Sequence, residues 1–116
     1  MNDLITSSEL QKHFSNEAFV LKTQQQIAKD FEKFHLSFAE SFLDAALPKP
    51  EIETLIAERI SALMEEGETR LLQLLYTIDL PEKEFLVLTT EPNFLQLLSE
   101  KILFREAYKV FLRSRF

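Results

Sequence analysis

Nineteen carboxylates, two histidines and no cysteine set the chemistry open to this 116-residue chain. Its one suggestive ligand spacing is Glu32-Lys33-Phe34-His35. On a helix, Glu-x-x-His turns a carboxylate and an imidazole to one face, and di-iron bundles combine two such motifs with two further glutamates. The other histidine, His13, follows Glu9 by four residues, which is the wrong spacing, and no second pair completes the set. His35 also falls at an expected helix end, where an imidazole meets free carbonyls. Glu32 and His35 therefore stand as the alternative metal site, against a leading expectation of no metal and no cofactor.

Glu65-Glu66-Gly67-Glu68 is the densest acidic run. Hard cations need oxygens converging on one point, whereas consecutive helical residues point in different directions, so the run reads as a solvated face. Nucleophile elbows, P-loops and dinucleotide fingerprints need glycines, and the chain has one. Serine, histidine and aspartate are present without a local signature linking them. No catalytic residue is assigned, and the chain reads as non-enzymatic. The basic tail Lys101, Arg105, Lys109, Arg113 and Arg115 could face phosphate or anionic lipid. Cations near a helix C-terminus are also favoured by the dipole, and the acidic body offers internal partners.

The balance of charge supports that second view. The net charge is −6 with a pI near 4.9, which argues against nucleic acid as a bulk partner. Residues 37–100 carry 13 acidic and 4 basic side chains, and residues 101–116 carry 5 basic and 1 acidic. The first thirteen residues lack the basic and apolar regions of a secretory signal. No uncharged apolar run is long enough to span a membrane. A cysteine-free chain suits a reducing cytoplasm.

Eleven phenylalanines against one glycine and four prolines point to helices joined by short connections. Thr6 and Glu9 have capping-box spacing with Ile5 and Leu10 at the staple positions, predicting a helix from Ser7. Ser15-Asn16 could interrupt it and recap a second helix, on which Val20, Gln24, Ile27, Phe31 and Phe34 share a face. The Gln24-Gln25-Gln26 run is too short to carry meaning. After a corner at His35, Ser37 and Glu40 read as a second capping box opening a short helix. Pro50 then fits the first turn of a helix over residues 50–78, with its apolar residues in one sector and Gly67 inside that sector. Gly67 is thus expected as a mid-helix packing contact. Asp79-Leu80-Pro81-Glu82 reads as the next cap. Phe85 to Leu88 could be helix or strand, and without a partner strand helix is expected. Thr90 reads as the cap of a last helix over residues 91–114, apolar around most of its circumference with a polar stripe of Ser99, Glu106, Lys109 and Arg113.

Leu74-Leu75-Tyr76-Thr77-Ile78-Asp79-Leu80-Pro81-Glu82 resembles a junction in a group of small uncharacterised bacterial helical proteins. The resemblance spans the C-terminal half. It implies a bacterial cytoplasmic setting and no activity, substrate or catalytic residue.

The expectation is one all-α domain over residues 1–116, four or five helices in a bundle-like array, with the long helix and the C-terminal helix as core partners. The expected function is a protein-interaction or assembly module. Phe111, Leu112 and Phe116 are the apolar residues a small core leaves over, and with Lys109 they are the interface candidates, against the chain's own body or in a homodimer. The alternative is a carboxylate and histidine bundle that binds metal or catalyses.

Overall fold

The computed structural model describes residues 7–115, and every regular element among them is helical. The α-helices run α1 Ser7–Lys12, α2 Glu17–Glu32, α3 Ser41–Asp44, α4 Lys49–Glu66, α5 Glu68–Thr77, α6 Glu82–Leu88 and α7 Phe94–Arg115. The bundle-like all-α expectation holds. Its count of four or five helices was low, because several connections carry short helices of their own. Thr6 and Ile5 of the first expected cap lie outside the described residues.

Asn16 ends the 3-10 turn His13–Ser15 and caps α2, its side-chain oxygen accepting from Phe19 N–H at 3.2 Å. The helix ends where Leu36 N–H reaches back to the Phe31 carbonyl at 3.2 Å, with His35 left-handed at φ 62°. Asp79 repeats this at the end of α5: φ is 63°, and Leu80 N–H reaches the Leu75 carbonyl at 2.8 Å. Glycine is the usual residue for this closure. Here a histidine and an aspartate take it, and the leucine that follows each is buried.

Several expected caps are corrected by these closures. Asp79 ends a helix instead of opening one, and Pro81 occupies the N-cap of α6 with no side-chain cap. The Thr90 hydroxyl donates back to the Val87 carbonyl at 2.9 Å, and α7 starts only at Phe94. Glu40 precedes α3 without a side-chain cap, so Ser37 and Glu40 form no capping box. The Ser37 carbonyl instead accepts from Arg59 Nε at 3.1 Å. Pro50 does sit in the first turn of α4.

The helix expected over residues 50–78 is two helices. Gly67 breaks it at φ 127°, ψ 154°, a conformation essentially reserved for glycine. No atom beyond its own chain neighbours lies within 4 Å of where a Cβ would stand, so Gly67 is not a packing contact. One apolar phase runs through both halves because α4 and α5 face the same core. Periodicity records which side is buried and is indifferent to a turn in the axis.

The core centres on α4 against α7, the most extensive helix pair, with α2 packed on α7. Ile52, Ile56, Ile60 and Leu63 of α4 meet Leu98, Ile102 and Leu103 of α7 and Ile27 and Phe31 of α2. A second cluster joins Leu10 of α1 to Ala107, Tyr108 and Phe111 of α7. Gln24 is fully buried on the core face of α2 and ties down the chain around α3. Its amide donates to the Phe42 carbonyl at 2.8 Å and the Ala45 carbonyl at 3.0 Å, and its oxygen accepts from Leu47 N–H at 2.8 Å. The glutamine run therefore has a definite structural use. No described helix is long and apolar enough to cross a membrane.

Candidate functional site

Two places on this scaffold combine unusual chemistry with defined geometry. The first is a groove of about 600 Å³ beside α5, walled by Phe34, Leu72, Leu75, Tyr76, Leu80 and Pro81. Leu72 and Tyr76 are one helical turn apart, and Thr69 and Gln73 run beside them on the same helix. The left-handed Asp79 turns the chain so that Leu80 and Pro81 close the end. At the α2 side, Arg70 lies 5.5 Å from the Phe34 ring centroid and donates to the Phe34 carbonyl at 3.3 Å. That fixes Phe34 as a wall. Tyr76 is 84% exposed, an unusual position for so large a ring. Leu86 and Val87 are exposed on α6, the helix that follows Pro81. Glu82 lines the groove, and the exposed Glu68 stands one turn before Leu72.

The second is a buried charge cluster where α2 meets α7. Asp30 and Glu106 have side chains only 3% and 0% exposed. Lys109 Nζ lies 2.8 Å from Asp30 Oδ2 and 3.7 Å from Glu106 Oε1. Gln26 donates to Asp30 Oδ1 at 3.1 Å, Arg113 donates to Gln26 Oε1, and Lys33 stands 3.6 Å from Asp30. Burial, then the adjoining Asp30 carboxylate, pushes the Glu106 carboxyl up to about 9. Burial would also raise Asp30, but the neighbouring Glu106, then Lys109 and Gln26, outweigh it and hold Asp30 below the usual carboxylate range. The pair thus divides its roles: burial beside Asp30 favours the protonated form of Glu106, whose oxygens have no hydrogen-bond partner among the described residues, and Asp30 stays ionised against Lys109. Perturbed carboxyls of this kind often mark active sites. With Glu106 fully enclosed, this pair has no face for a substrate, and its evident work is joining α2 to α7.

The polar stripe expected on α7 points inward over part of its length. Ser99 and Glu106 are completely buried, and Lys109 is half-buried. The signal was present in the sequence: a helix apolar around most of its circumference is central, so its polar stripe must meet a neighbour. Asp30 carried no signal of its own, being one of three carboxylates on α2 and one of nineteen in the chain.

Of the interface candidates, Lys109 is held in this cluster, and Phe111 is buried beside Leu10 and Tyr108 with its ring 5.5 Å from that of His13. Leu112 is half-buried against the same cluster, and Phe116 lies outside the described residues. The end of α7 thus docks on its own chain. Glu32 and His35 are both exposed at the end of α2. The left-handed backbone of His35 takes its ring off the helical face that Glu-x-x-His geometry requires. Among the described residues no group of three or more acidic or histidine side chains is placed to hold a metal ion. The tail cation Lys101 pairs with Glu84 at 3.0 Å, and the Arg105 guanidinium lies over the Tyr108 ring at 5.4 Å.

Comparisons with protein-family models, with characterised proteins and with solved structures give no match.

Proposed function

We propose that this chain is a non-enzymatic, cytoplasmic protein-interaction module, and that the groove beside α5 receives an amphipathic helix bearing basic residues from a partner protein. The exposed Tyr76 at the edge of an apolar trough carries this reading. Tyrosine offers large contact area at low entropic cost and recurs among the residues that dominate binding energy. A trough formed by Leu72, Leu75 and Leu80 between aromatic walls suits side chains spaced i, i+3 or i+4 and i+7. Charge selects the occupant. Glu82 in the wall, with the exposed Glu68 one turn before Leu72 on α5, favours lysine and arginine on the incoming helix.

The test is fluorescence anisotropy with a labelled amphipathic peptide carrying leucines at that spacing and lysines on its opposite face. A peptide of identical composition with the order scrambled serves as control, because an acidic protein attracts any basic peptide weakly. The ordered peptide should bind the native chain and lose about tenfold or more in affinity to Tyr76→Asp, as truncating a central aromatic contact does. Equal binding of both peptides, or no effect of Tyr76→Asp, would refute the reading. Concentration-dependent self-association abolished by Tyr76→Asp would assign the groove to a second copy and overturn the partner helix.

A further inference from the structure

We propose that the outer edge of the α2–α7 seam is a binding site for a phosphate group, held by Lys22 and Lys29 of α2 and Arg113 of α7. A depression of about 340 Å³ opens there, lined by these three cations with Gln25, Gln26, Val110 and Ser114. Its lining contains no carboxylate, on a chain with nineteen of them and a net charge of −6. Such a concentration of like charge runs against the composition of the molecule.

The geometry keeps these charges available. Lys22 and Lys29 are seven residues apart, two turns along one face of α2, with Gln25 and Gln26 between them. Neither lysine has a carboxylate partner among the described residues, whereas Lys33, Lys49 and Lys101 each have one and Lys109 has two. Arg113 is set at the opposite wall by its bond to Gln26 Oε1, which uses one of its five donors and leaves others for a ligand. Gln26 is anchored in turn by Asp30 at 3.1 Å. Asp30, the carboxylate closest in sequence to Lys29, is engaged by Lys109 and Lys33 inside the seam. Glu106 behind it retains its proton through neutral pH and adds no negative charge.

A dianionic phosphate matches three cations lining one depression, and guanidinium offers it a planar fork of donors. A nucleic-acid polyanion is disfavoured, since its remaining phosphates would face a net-negative protein. The occupant is accordingly a small phosphorylated molecule or the phosphate of a single headgroup.

Thermal unfolding with sub-millimolar pyrophosphate at fixed ionic strength tests the site, using the native chain, Lys22→Gln/Lys29→Gln, Arg113→Gln and the control Lys83→Gln. Lys22, Lys29 and Lys83 are exposed, so their substitution leaves the core intact, whereas Arg113→Gln also removes the donor to the buried Gln26 Oε1 and is read beside the double variant. The expected result is a saturable rise in melting temperature for the native chain and the control. The apparent Kd should weaken about tenfold or more in the double variant, and also in Arg113→Gln, as loss of charge-assisted hydrogen bonds does. A second arm measures co-sedimentation with vesicles of phosphatidic acid in phosphatidylcholine. Pelleting that pyrophosphate competes away identifies a headgroup, and stabilisation without pelleting identifies a soluble ligand. Neither effect in the native chain, or equal effects in the double variant, would overturn the proposal.

Discussion

Glu106→Gln replaces a buried acid with a side chain of nearly the same shape that is neutral at every pH and carries an amide donor beside the ionised Asp30. The sign of its effect follows from linkage. The Glu106 carboxyl stands near 9 in the folded protein against 4.5 for the unperturbed group. Between those values the folded chain holds a proton that the unfolded chain has released. Stability from this group is complete below the unfolded value and falls as pH rises toward 9, by about 1.4 kcal/mol per pH unit. At pH 7.5, three units above the unfolded value, the native chain has forgone about 4 kcal/mol on this arithmetic. Water entry and relaxation reduce that, so a gain of about 2–4 kcal/mol is expected for Glu106→Gln. In a chain of this size it corresponds to roughly 8–16 °C in melting temperature. Asp30 opposes this only in acid, since its depressed value means its stabilisation is lost as pH falls below the usual carboxylate range. Urea unfolding of both proteins from pH 5 to 8.5 provides the assay. The native chain should lose stability across the range, while the variant should show a flatter profile and converge with it near pH 5. A variant no more stable than the native chain at pH 7.5, with an unchanged pH slope, would refute the proton assignment.

Two further substitutions test the architecture. Gly67→Ala should lower stability by about 1–3 kcal/mol through backbone strain alone, because the position has open space and a glycine-only conformation; a higher urea midpoint would show that the helix can run straight. Gln24→Leu should cost about 2–3 kcal/mol by orphaning Leu47 N–H and two carbonyls, with hydrogen exchange at Leu47 rising more than at Ile102; unchanged exchange there would contradict that role.

The distribution of apolar residues makes the helical class and the pairing of α4 with α7 legible in the sequence. Asn16 was legible too, because its chemistry is local: a side chain satisfying an N–H three residues on. The misread caps at Asp79 and Thr90 share one cause. Aspartate and threonine can begin or end a helix, and tertiary packing of the buried Leu80 and Leu88 decides between them. Gly67 was misread because phase along a helix does not report the axis. The charge cluster was illegible for a different reason: Asp30 and Glu106 are 76 positions apart, and nothing local distinguishes a carboxylate that will be buried from one that will not. The groove shows the same limit. Nothing in its sequence neighbourhood separates Tyr76 from the aromatic residues that are buried, yet its side chain stands in solvent.

Titrating isotope-labelled protein with the unlabelled amphipathic peptide and following amide chemical shifts tests the proposed peptide-binding groove beside α5. Saturable shifts confined to Phe34, residues 69–82 and the exposed face of α6 are the predicted outcome, and they should vanish in Tyr76→Asp. Shifts centred elsewhere, or spread evenly over the acidic surface, would contradict it.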